Sequence, residues 1–150
     1  MKRISPKDLN NLQLQTLLQT AIAPRPIALA STIDKDGNVN LSPFSFFNMF
    51  STNPPVVIFS PSRRVRDNTT KHTLENVHEV AEVVIGIVNY NIVQQISLAS
   101  TEYEKGVNEF VKSGLTMKEA DLVKPQLIEE CPVNLECKVL EIKALGTEGG

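Results

Sequence analysis

The feature that most restricts this chain is a series of short apolar segments cut apart by prolines and turn residues. Residues 27–33, IALASTI, are small and branched and predict a buried strand. Asp34-Lys35-Asp36-Gly37 is a turn in which Gly37 is free to take positive φ. Residues 38–42 then alternate polar and apolar, as a returning antiparallel strand does, so Asn40 and Ser42 fall on one face. Asn53-Pro54-Pro55 excludes helix and central strand. Residues 56–60, VVIFS, and 81–89, AEVVIGIVN, are a third and a fourth strand. Residues 134–145, NLECKVLEIKAL, predict one long strand with a wet face.

Helical segments separate these strands. Ser5 reads as an N-cap, with Pro6 at the first helical position and Asp8 in the first turn; the leucines at 9, 12, 14, 17 and 18 carry the helix to about Thr20. Ala23-Pro24-Arg25-Pro26 stops it. A second helix is expected over residues 69–78. A third, capped by Asn91, runs to about Ala99 with Ile92, Val93, Ile96 and Ala99 on its apolar side. Residues 101–130 are charged and irregular, with a turn of helix near 109–112. Hairpins mixed with helical insertions predict a mainly β protein, an antiparallel barrel with helices packed outside it.

At 150 residues the chain can bury a core without metal or disulfide staples, and one domain over 1–150 is expected. No apolar run approaches the roughly 20 residues of a membrane span, and the first fifteen residues lack the apolar centre of a signal peptide. A cytoplasmic protein without membrane attachment is expected. The net charge of −2 argues against nucleic-acid binding through bulk electrostatics. Cys131 and Cys137 are too few for a zinc site, and six residues along an extended strand separate them by about 20 Å, so both are expected as free thiols. His72 and His78 do not share a helical face and read as exposed. Asp34/Asp36 and Glu129/Glu130 read as solvated pairs. No nucleophile motif, glycine-rich phosphate loop or dinucleotide fingerprint is present.

Charge and aromaticity concentrate in residues 40–71. Arg63, Arg64, Arg66 and Lys71 stand against Asp67 alone, whereas residues 101–150 carry ten acids and six bases. Arg63 and Arg66 offer planar donor forks to phosphate oxygens, and Asp67, Asn68 and Thr69 lie where a helix is expected to begin, a place that favours an anion. Ser60, Ser62, Thr69 and Thr70 add hydroxyls. A solvated basic loop ahead of an ordinary N-cap accounts for the same residues. Residues 43–48, PFSFFN, are either core or the wall of a flat aromatic ligand with polar edges. A ligand that satisfies both ends of the stretch is flavin mononucleotide, FMN.

The ordered series Pro24-Arg25-Pro26-Ile27-Ala28, Ser31-Thr32, Asp36-Gly37, Asn40, Ser42-Pro43-Phe44-Ser45-Phe46-Phe47-Asn48 and Pro54-Pro55 resembles the flavin reductase-like family. Later segments agree: Arg66-Asp67-Asn68-Thr69, Ser100-Thr101-Glu102-Tyr103, Gly106-Val107-Asn108-Glu109-Phe110 and Cys131-Pro132-Val133-Asn134-Leu135-Glu136-Cys137. The resemblance implies an FMN-binding split β-barrel and, typically, a homodimer with FMN near the subunit interface. It places Asn40, Ser42, Phe44, Ser45, Phe46, Phe47 and Asn48 along the isoalloxazine and ribityl part of FMN. Ser60, Ser62, Arg63, Arg66, Asp67 and Thr69 surround the phosphate and nearby hydroxyls, and Tyr103 lies toward the open side. Arg25 falls in the match with no contact assigned. Many members carry Lys-Asp-Thr where this chain has Arg66-Asp67-Asn68-Thr69, one residue longer, which leaves Thr69 and Thr70 as alternatives. Residues 145–150 read as a turn leading to a further strand, so a longer natural protein is expected.

The function implied is an NAD(P)H-dependent flavin oxidoreductase. A nicotinamide passes hydride to the flavin and electrons move onward; no catalytic side chain and no metal are assigned. An FMN-binding electron carrier without a nicotinamide site shares every residue named, and a non-catalytic split-barrel dimer is the third alternative.

Overall fold

The computed structural model describes residues 3–64 and 67–145. In chain order its elements are α1 (Asn11–Ala21), β1 (Ala28–Ile33), β2 (Val39–Phe44), β3 (Phe47–Thr52), β4 (Pro55–Phe59), α2 (His72–Glu79), β5 (Glu82–Ile87), α3 (Val93–Ala99), α4 (Glu109–Ser113), β6 (Met117–Lys118), β7 (Leu127–Ile128) and β8 (Val133–Lys138). The central sheet has the order β2-β1-β5-β8, antiparallel throughout; β3-β4 and β6-β7 form two small antiparallel pairs. The mainly β, antiparallel architecture with peripheral helices is the one expected.

The hairpin sets the sheet. Gly37 takes φ +91°, a left-handed conformation that other residues adopt at a cost. Asp34 closes the turn by accepting from Asp36 N at 2.9 Å and Asn38 N at 2.8 Å. The resulting register pairs Ala28 with Phe44, Ala30 with Ser42 and Thr32 with Asn40. Side chains alternate along a strand, so these six share one face. Leu29, Leu41 and Val84 take the other face, where they are fully buried with Phe110, Ile128, Leu115 and Cys131. On the first face Ala28, Ala30, Phe44, Val83 and Ile85 form a second cluster, covered by Phe47, Val57 and Phe59 of β3-β4.

Several boundaries differ from expectation, each for a local reason. The first helix is divided. Ser5 caps only a 3-10 turn, Pro6–Asp8, and Asn10 then opens α1 through a capping box with Gln13. The strand β3 was not expected from the aromatic run; it pairs with β4 across the Asn53-Pro54 turn. The second helix begins at His72 rather than 69, because Asp67 Oδ1 accepts from Thr69 N at 3.0 Å and from Thr69 Oγ1 at 2.6 Å, a local turn that competes with helix. Asn89, not Asn91, supplies the cap before α3, through a 3-10 turn, Tyr90–Ile92. The last strand ends at Lys138 because its partner ends there: Glu82 opposes Lys138 and begins β5. Beyond one further bond, Val139 N to Ala81 O at 2.9 Å, alternation alone does not prolong it. Cys131 and Cys137 are free thiols, as expected. Residues 146–150, on which the expected turn and continuation fall, lie outside the described residues. No helix among the described residues is long and apolar enough to cross a membrane.

Candidate functional site

The face of the sheet that carries Asn40, Ser42 and Phe44 changes character along its length. Near Phe44 it is apolar. Toward Thr32 and Asn40 it meets α2 through buried hydrogen bonds, Asn76 Nδ2 to Thr32 Oγ1 at 3.2 Å and Asn40 Nδ2 to Thr73 Oγ1 at 3.0 Å. Between these regions, where β2 leaves the sheet and β4 returns, lies a cleft of about 390 Å³. Its lining comprises Pro43, Phe44, Ser45 and Phe46 at the end of β2 and just after it, Ser60, Ser62, Arg63, Arg64 and Lys71 between β4 and α2, and Gln15, Gln19 and Glu102. A smaller recess adjoins it, sharing Arg64, Lys71 and Glu102 and adding Asn40, Ser42, His72, Thr73, Tyr103 and Glu109. A volume of this size, with an apolar wall and a few convergent polar groups, is what a small-molecule site requires.

The expected site residues divide into three groups. Phe44, Ser45, Phe46, Ser60, Ser62 and Arg63 line the cleft, and Asn40 and Ser42 line the recess. Phe47 instead packs on the second core cluster, Asn48 is exposed with its side chain accepting from Met49 N at 2.8 Å, and Asp67 and Thr69 are exposed and line neither space. Arg66 lies outside the described residues. Gln15, Gln19, Pro43, Arg64, Lys71 and Glu102 join the site without having been assigned to it. Arg64 and Lys71 were legible as charge; Gln15 and Gln19 carried no signal, since contact between α1 and residues 43–46 is a tertiary fact.

The basic loop folds back on itself. Arg64 N donates to Thr69 O and Asn68 N to Arg64 O, both at 2.9 Å, with Asn68 at φ +56°. Arg63 Nη1 donates to Asn68 O at 3.0 Å, and Arg64 Nη1 donates to Thr69 Oγ1 at 3.1 Å and to Thr70 O. One end of each guanidinium thus shapes the loop. Lys71 is different. Its ammonium stands 5.1 Å from the centre of the Phe44 ring. Burial, with the charge of Arg64, holds its pKa below the usual lysine value against the opposing influence of Glu102. The side chains of Ser60, Ser62 and Lys71 have no hydrogen-bond partner among the described residues, so the cleft offers unclaimed donors to an anion.

His72 is half-buried, not exposed as expected; burial and then Arg64 lower its pKa. Glu109 is buried at the start of α4, its Oε2 accepting from Leu41 N at 3.1 Å, and burial raises its pKa. No cluster of three or more metal-ligating side chains occurs among the described residues.

The fold and cleft define a flavin reductase-like domain of split-barrel type. The sequence profile of that family matches residues 20–149, and the chain belongs to it. Membership places it among flavin-binding oxidoreductases. It is 40% identical over 133 residues to an uncharacterized protein of Aquifex aeolicus, covering 89% of this chain and 67% of that one. Among solved structures it is similar to nitrilotriacetate monooxygenase component B from Bacillus cereus, with a TM-score of 0.92 and 28% identity over 99% of this chain and 73% of that one. A split-barrel-domain protein from Shewanella frigidimarina gives a TM-score of 0.79 at 26% identity, over 99% and 74% of the two chains.

Lys71 is the N-cap residue of α2, with His72 and Thr73 opening the helix. Arg66-Asp67-Asn68-Thr69 precedes the helix.

Proposed function

We propose that the chain binds FMN in the 390 Å³ cleft and serves as an NAD(P)H-dependent flavin oxidoreductase domain. The observation that carries this reading is the junction of Pro43, Phe44 and Phe46 with Ser60, Ser62, Arg63 and Lys71 in one continuous space. The apolar wall suits a flat ring, and the unpaired hydroxyls and ammonium suit a phosphate. The first N–H groups of α2 lack a side-chain cap and lie beside Lys71, adding donors for the same anion. Asn40 and Ser42 supply polar edges from the recess, and Arg66 belongs to the proposed phosphate side. When bound, the flavin supplies the hydride and electron chemistry. The chain's own part is to seat the ring, neutralise the phosphate and leave one ring face accessible.

The domain is proposed to act as a homodimer in the cytoplasm. Leu12, Leu17 and Leu18 of α1, and Met49, Phe50 and Ile58 of β3-β4, expose apolar surface that a second copy would cover. The decisive test is the visible spectrum of purified protein after FMN addition and desalting, followed by NADH or NADPH under anaerobic conditions. Retained flavin bands that bleach on nicotinamide addition are expected. Retained flavin that only dithionite bleaches would make the domain an electron carrier, and no retained or quenched flavin would overturn the cleft assignment.

A further inference from the structure

The helix α1 poses a question of position. It contributes Gln15 and Gln19 to the cleft, yet it buries none of its residues, and Leu12 and Leu18 are 64% and 47% exposed. An isolated helix of this length is marginal in water, and within this chain α1 has no fully buried residue to anchor it. The side chain that ties it to the cleft wall is Arg25. Its Nη1 donates to the carbonyls of Gln19 and Ile22 at the C-terminal turn of α1, where helix carbonyls lack intrahelical partners and carry partial negative charge. Its Nε donates to Ser45 Oγ at 3.3 Å. Gln19 and Ser45 both line the cleft, and both accept from this guanidinium. Flanking Pro24 and Pro26 restrict the backbone of Arg25, so the fork is presented from a stiff segment leading directly into β1.

We propose that Arg25 is a positioning residue: it latches the end of α1 to the Ser45 wall and so holds Gln15 and Gln19 in the lining of the flavin cleft. This rests on the flavin reading above. A planar fork serves two carbonyls and a hydroxyl at once, which an ammonium cannot reproduce with the same geometry.

The test compares wild type, Arg25→Ala and Arg25→Lys by FMN fluorescence quenching and by amide hydrogen exchange of the flavin-free proteins. In Arg25→Ala the Kd for FMN should rise about tenfold, the scale set by losing charge-assisted hydrogen bonds. Exchange should accelerate over residues 11–21 while β1 and β5 stay protected. Arg25→Lys should recover part of both losses. A purely structural role would speed exchange across the sheet as well, and that result overturns the proposal. So does an unchanged Kd or unchanged exchange over residues 11–21. If Arg25→Ala does not fold, Arg25→Lys is judged by the same two measurements. Wild-type protein that binds no FMN would overturn the flavin reading itself, and exchange over residues 11–21 would then decide the latch alone.

Discussion

The two faces of the central sheet are built from the same strands and do opposite work. On the face of Leu29, Leu41 and Val84, the helices α3 and α4 and residues 115–131 close over an apolar cluster in which Phe110 and Ile128 are fully buried. On the face of Ala30, Ser42 and Phe44, burial is incomplete and polar groups multiply toward the cleft. Period-two alternation lets one strand supply both faces, so β2 gives Leu41 to the core while Asn40 and Ser42 go to the recess. The lesson is that stability and binding can be altered separately in this domain, one residue apart.

That separation can be broken or sharpened by experiment. The largest effect belongs to the closed face: Phe110→Ala should lower unfolding stability by about 3–5 kcal/mol, the cost of a large core cavity, as read from urea denaturation. FMN affinity per folded molecule should not change. A smaller loss, about 1–3 kcal/mol, is expected for Gly86→Ala, because an added Cβ would sit 2.7 Å from Cys131 Sγ and 2.9 Å from Ile128 Cδ1. On the open face, Lys71→Met should weaken FMN binding about tenfold, the loss of one charged phosphate contact. The urea midpoint should hold or rise, since burial disfavours the lysine charge. A midpoint that fell with the affinity would assign Lys71 to the structural side and dissolve the contrast.

The smallest effect concerns Glu109. Burial raises its pKa above the ordinary 4.5, so the folded chain holds that proton to higher pH than the unfolded one. Its contribution to stability is therefore greatest below pH 4.5 and declines as pH rises through the folded-state pKa. Glu109→Gln should flatten this decline, checked as the difference between the two proteins' denaturation midpoints across weakly acidic pH. A variant with the same pH slope as wild type would show that Glu109 titrates normally.

Much of the fold was legible because its signals are local. The Gly37 hairpin follows from turn chemistry and from the alternation of its returning strand, and the strand at 28–33 from a run of small and branched residues. The order of the family's segments carried the fold type as well. The misses have physical causes. Asp67 diverted Thr69 into a side-chain turn, so α2 began later and the helix-start cation became Lys71. The aromatic run after Ser45 was read for its chemistry, whereas Phe47 is a strand residue packed on the core. Three of the twelve residues lining the cleft, Gln15 and Gln19 of α1 and Glu102, come from regions whose approach to residues 43–46 no spacing in the sequence encodes.

The contact between Glu109 and Leu41 has a consequence for the life of the protein outside its site. β2 is an outer strand of its sheet, and an outer strand exposes a row of N–H and C=O groups to any chain that can extend alongside. By holding Leu41 N, the carboxylate occupies one rung of that open ladder, and α4 arrives with it as a physical cover. The same side chain that lines the recess therefore also acts as a stopper against strand addition, keeping this margin of the sheet from recruiting a stranger.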